Sequence, residues 1–207
     1  LDFALIKLSK YTMNWTNVLA INQSSKGIPY GGQGEVRPDG DANYGFKNLK
    51  GHLDRLSEIP ELSQDDALLD IIRAINDPET GLLSIGCVSG PVEDECGHRV
   101  SGYVEFAFNS DVLVSDAQNY FPIFFHFNHA LARSAQMNIH FYWELMGADF
   151  FQAPAAGFTM SVTINTDYLD TEESAKATWA SALKLLGEHL TTILPGPGRP
   201  LYGVSEA

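Results

Sequence analysis

The stretch HFNHALARSAQMNIHFYWE, residues 126–144, places His126, His129, His140 and Glu144 within nineteen positions, and these residue types hold metal ions or move protons. On a helix, His126, His129 and Arg133 share one side, because residues three and four apart are neighbours. Two imidazoles at that spacing can share a metal ion, but a site needs three or four ligands and groups that orient them. His140 lies past a turn, on a strand, and nothing in the spacing aims it at the other two. The H-E-x-x-H pattern, in which spacing itself carries a mechanism, is absent. Two cysteines, Cys87 and Cys96, bracket VSGPVEDE. They could stay free, close a bridge across a hairpin in an oxidising compartment, or join His98 at a metal in a spacing that zinc sites do not use. The sequence therefore assigns no catalytic residue, no metal and no cofactor.

The elements that must position these groups follow from periodicity. Phe3 to Leu8 alternates like a strand, and residues 22–50 read as a long polar, Gly-rich loop without the G-K-[ST] of a phosphate loop. Ser63, with Asp66 three residues on, predicts a helix start ahead of Leu68, Ile71, Ile72 and Ile75. Strands are expected over Leu82–Ser89 and Arg99–Asn109, joined by the acidic tip Glu93, Asp94, Glu95. A second helix is expected over Tyr120–Gln136, with Ser115 and Gln118 as capping candidates. Its buried stripe would be Phe121, Phe124, Phe125, Leu131 and Ala135. A strand pair follows, NIHFYWELMGADFF and GFTMSVTINTDY. A third helix is expected to start at Asp170, with Glu173 in a capping box, and to bury Trp179, Leu183, Leu186, Leu190 and Ile193.

LYGVS completes the order β, α, β, β, α, β over residues 99–205, that of the ferredoxin-like split βαβ arrangement. The expectation is one α+β domain over residues 1–207: an antiparallel sheet with about three helices on one face. Strand alternation then sends His140, Tyr142 and Glu144 to the uncovered face with Thr159, Ser161, Thr163 and Asn165, where Tyr103 and Glu105 join them.

Net charge is −13 and unevenly spread. Residues 1–53 carry six basic against four acidic side chains, residues 54–116 three against fourteen, and residues 117–207 four against eight. Such a surface repels phosphate, which argues against nucleic-acid binding and favours a basic protein partner. No apolar run reaches the roughly 20 residues of a membrane helix, and LDFALIKLSKYTMNW lacks the basic start and long apolar stretch of a signal peptide, so the expected setting is cytoplasmic.

The leading expectation is an acidic, non-enzymatic protein that docks on a basic partner and inhibits it, as an immunity protein or antitoxin does with a nuclease-like toxin. Its contact residues would be Asp66, Asp70, Asp77, Glu93, Asp94, Glu95, Tyr103, Glu105, His140, Tyr142 and Glu144. The rival is a small-molecule or metal-dependent enzyme using His126, His129, His140 and Glu144, with Gly27 to Gly45 as a lid.

Overall fold

In the computed structural model, residues 15–32, 34–36, 42–133 and 138–203 are described. Alternating and amphipathic stretches become, in chain order, β1 (Trp15–Ile28), a small ribbon of β2 (Glu35–Val36) and β3 (Ala42–Asn43), α1 (Asp66–Ile75), β4 (Leu82–Asp94), β5 (Gly97–Phe108), the short α2 (Asp111–Val114), α3 (Phe121–Leu131), β6 (Ile139–Phe150), β7 (Ala155–Thr166) and α4 (Glu172–Leu190). The main sheet has five strands in the order β1-β6-β7-β5-β4. β1 pairs with β6 in parallel and the other neighbours are antiparallel, so the sheet is mixed where an antiparallel one was expected.

The apolar stripes explain the layering. α1 buries Leu68, Ile71, Ile72 and Ile75, the expected set. α4 buries Trp179, Leu183, Leu186 and Leu190. With α3 these helices cover one face of the sheet, where Val104, Phe106, Phe141, Trp143, Val162 and Ile164 are buried. Trp143 is the hub: its ring meets Phe106, Phe124 and Phe127 at centroid distances of 6.4, 5.9 and 5.3 Å. Its indole N–H donates to Asn17 on β1 at 2.7 Å, so the one polar atom of a fully buried ring is satisfied. Each large side chain removed from water here contributes about 1.5–3 kcal/mol.

Several expected boundaries move. The α1 cap is Asp65, whose Oδ1 accepts from the Leu68 N–H, while the Ser63 hydroxyl donates to the Pro60 carbonyl. Thr171 caps α4 through the Ser174 N–H. α3 is shorter than expected and its N-cap residue is Tyr120, with no capping bond from Ser115 or Gln118. α3 buries Ile123, Phe124, Phe127 and Leu131, leaving Phe125 62% exposed; Ala135 lies outside the described residues, as do Phe3 to Leu8.

The expected ferredoxin-like order over 99–205 is not confirmed. Leu201 and Tyr202 are buried but lie in a bend, Val204 and Ser205 fall outside the described residues, and the place beside β5 belongs to β4.

The polar loop expected over residues 22–50 instead begins as the second half of β1. Beyond it, Tyr30, Phe46 and Tyr202 form a chain of ring contacts, and the Tyr30 hydroxyl donates to the Ile85 carbonyl of β4 at 3.0 Å. This layer covers one end of the sheet face opposite the helices. Lys50 ties it down: 4% exposed, its ammonium donates to the Asp77 and Thr80 carbonyls and to the Thr80 hydroxyl at 2.6–2.9 Å. Burial lowers its pKa to about 8, an effect that Asp77 partly offsets.

Candidate functional site

Strand register decides which predicted groups meet. His140, Tyr142 and Glu144 stand opposite Asn165, Thr163 and Ser161, and those stand opposite Ser101, Tyr103 and Glu105. The polar row read from alternation is therefore continuous across β6, β7 and β5. β1 adds Thr16, Val18, Ala20 and Asn22 beside β6, an extension that the sequence reading missed.

The row is not uniformly open. Tyr142 and Val18, side by side, are 44% and 48% exposed, whereas Glu105 is 6% exposed and forms an ion pair with Lys26. Thr159 is fully buried. Three strand-to-strand steps separate β1 from β5, about 14 Å on a flat sheet at about 4.8 Å each. Lys26 nevertheless reaches Glu105, so this carboxylate is covered and is not part of an open surface.

His140 sits in a chain that neither spacing nor alternation revealed. One ring nitrogen, Nε2, lies 2.6 Å from Asp167 Oδ1, and the other, Nδ1, lies 2.9 Å from the Thr16 hydroxyl. A carboxylate only accepts, so Nε2 carries the proton in the neutral ring and Nδ1 accepts from Thr16. Hydroxyl, imidazole and carboxylate in series can draw a proton off the hydroxyl. Glu144 is engaged differently, accepting from the Asn22 amide at 3.1 Å.

The other histidines do not converge on His140. His126 and His129 are exposed on α3, and His129 lies 3.5 Å from Arg133. The sheet stands between them and the face that carries His140. Among the described residues no three His, Cys, Asp or Glu side chains gather closely enough to hold a metal ion. Cys87 and Cys96 are free thiols: Cys87 pairs with Val104 inside the hairpin, while Cys96 sits exposed in its turn.

The acidic groups separate into two sets. Asp65 Oδ2 accepts from Ser89 on β4 and from the Trp179 indole on α4, each at 2.7 Å, which brings the start of α1 to the outer stretch of β4. Beyond Ser89 the hairpin runs on to its tip, and His98 bridges to Leu169 just before α4. The β4–β5 tip and the first turn of α4 thus share one end of the molecule, while the start of α1 lies beside Trp179, seven residues past Glu172 and about 10 Å further along α4. That end carries exposed Glu93, Asp94, Glu95, Asp170, Glu172 and Glu173, whereas Asp66 and Asp70 are exposed on α1 beyond it.

Basic groups answer some of these charges. Asp70 pairs with Arg73 and Glu172 with Lys176. Asp94 is held below the usual carboxylate range, first by the Tyr168 hydroxyl at 2.5 Å, then by the Cys96 N–H, and less by Arg99. The Glu172 carboxyl is lowered by its bond from Lys176. Asp77 stands apart at the far end of α1, where its Oδ1 accepts from the Glu79 N–H and its carbonyl from Lys50. The acidic residues at the start of α4 came from outside the most acidic third of the chain; the bridge between His98 and Leu169 reveals their place.

Fold and site together define an α+β protein with a five-stranded mixed sheet, helices on one side, a polar row on the other and one acidic end. Comparison with protein-family models, curated proteins and solved structures finds no match.

Proposed function

We propose that this chain is an acidic, non-enzymatic binding protein that docks its acidic end on a basic protein and inhibits it, as an immunity protein or antitoxin does with a nuclease-like toxin. What supports this reading is the gathering of exposed carboxylates from the β4–β5 tip and the start of α4 at one end of the molecule, with the acidic side of α1 further along. Like charges gathered against their mutual repulsion cost stability, and a basic partner would relieve that cost while gaining a faster, salt-sensitive encounter. The sheet face opposite the helices, with Tyr142 and Val18 exposed, offers aromatic and apolar area besides.

The test is affinity capture at low and at high salt, with the native chain and with a variant carrying Asp66→Asn, Asp70→Asn, Glu93→Gln and Glu95→Gln. The native chain should retain basic proteins at low salt, the variant should lose them, and association measured on the purified pair should slow by about 10-fold or more. Equal recovery by both chains would remove the proposal.

One observation favours an enzyme instead, the Thr16–His140–Asp167 chain. An activated ester separates the two readings. Turnover that His140→Gln abolishes, in protein that keeps its thermal midpoint, would favour acyl transfer to Thr16; turnover that the substitution leaves unchanged would dismiss it.

A further inference from the structure

A narrow cleft lies between the edge strand β4 and the segment from Tyr30 to Glu61. Tyr30, Tyr44 and Tyr103 line it together with Glu61 and Cys87. Glu61 Oε2 is buried in its wall and accepts no hydrogen bond from any described residue. A buried carboxylate oxygen without a donor costs about 1–3 kcal/mol or more, so a donor from outside the chain is the natural complement. The tyrosine rings present electron-rich faces, which favour a cation.

The free interior of about 60 Å³ suits a small head group. It admits about four waters at roughly 10–15 Å³ each, or the four heavy atoms of a guanidinium. A planar, weakly hydrated guanidinium stacks on aromatic rings and donates in a fork to a carboxylate; an ammonium is more strongly hydrated and does neither as well. The thiol of Cys87 reports the sign of the field: it is pushed up to about 12, mainly by burial and further by the Glu61 and Asp65 carboxylates. The one cation in the lining, Lys47, lies close enough to Glu58 to help lower that carboxyl, after the larger effect of Arg55.

We infer that this cleft is a guanidinium site, in which Glu61 accepts from the N–H groups of an arginine head while Tyr30, Tyr44 and Tyr103 enclose its plane. The site goes beyond docking by the acidic end and does not depend on it, because the probes below need no protein partner.

The experiment titrates the whole chain with N-acetyl-L-argininamide, with its uncharged isostere N-acetyl-L-citrullinamide and with free L-arginine, reading protein NMR shifts. The arginine compounds should bind at millimolar concentration and the citrulline compound should not. Glu61→Gln should weaken binding by about tenfold or more, the usual scale for losing a charge-assisted hydrogen bond. Tyr44→Leu, at a side chain 37% exposed, gives a second reading should Glu61→Gln fail to fold. Tighter binding of free arginine would identify a free amino acid as the source of the guanidinium, and tighter binding of the blocked amide a polypeptide side chain. Equal binding of the citrulline compound, binding untouched in the folded variants, or no binding of either arginine compound would each overturn the assignment.

Discussion

Replacing Asp65 should damage the fold far more than its place at an acidic surface implies. Its two oxygens serve three donors: Oδ1 takes the Leu68 N–H at 3.0 Å and caps α1, and Oδ2 takes Ser89 Oγ and Trp179 Nε1 at 2.7 Å each. Asp65→Asn keeps the shape but supplies one accepting oxygen. With that oxygen turned to Ser89 and Trp179, the amide NH2 faces the Leu68 N–H and the cap is lost, at about 1 kcal/mol. The two remaining bonds also lose their charge assistance, which brings the expected cost to about 2 kcal/mol. The serine hydroxyl can turn and accept, but the indole N–H only donates, so the opposite flip is no better. Asp65→Ala strands all three donors and should cost about 3–4 kcal/mol. Equilibrium urea unfolding followed by tryptophan fluorescence measures both. At a slope of about 2 kcal/mol/M the alanine variant should unfold at least about 1.5 M earlier, with the slope unchanged. A midpoint shift under about 0.2 M for alanine would refute the idea that this carboxylate joins α1, β4 and α4.

Three further outcomes follow from buried groups. Lys26→Met leaves the Glu105 carboxylate without its cation at 6% exposure and should cost about 3 kcal/mol, whereas Lys26→Met with Glu105→Leu should recover most of that loss; thermal unfolding that showed additive losses would contradict this. Iodoacetamide at pH 8 should label exposed Cys96 and spare Cys87 until the chain unfolds, as read by peptide mass spectrometry. Because the folded value of Cys87 is raised from 9.0 to about 12, its contribution to stability is present below about pH 9 and is lost as pH rises toward 12. Cys87→Val should flatten that decline, and an identical alkaline profile would count against the burial argument.

The parts of the fold that bury one clean apolar set were legible in the sequence. Leu68, Ile71, Ile72 and Ile75 recur at helical spacing, and Phe158, Met160, Val162 and Ile164 alternate, so α1 and β7 could be read directly. β1 was hidden because NQSSKG looks like a loop. As an edge strand it needs only one neighbour, and its polar side chains find partners in place of a core: Asn17 with Trp143, Asn22 with Glu144, Lys26 with Glu105. Alternation put Glu105 on the correct face but carried no information on Lys26, whose ion pair takes that position out of the open surface. The same limit applies to the Thr16–His140–Asp167 chain, whose members are brought together only by the parallel pairing and by the turn after β7.

That parallel pairing also sets a clock on biosynthesis. Thr16 and His140 are 124 positions apart, so at about 5–20 residues per second roughly 6–25 s pass between emergence of β1 and of β6, its neighbour among the described residues. Throughout that interval a long ribbon bearing Val18 and Ile21 has its backbone donors and acceptors unsatisfied on both sides, the condition under which nascent chains pair with one another. Its polar middle, NQSSK, then acts as a safeguard during synthesis: the residues that conceal the strand from a reader also conceal it from neighbouring chains on the same messenger.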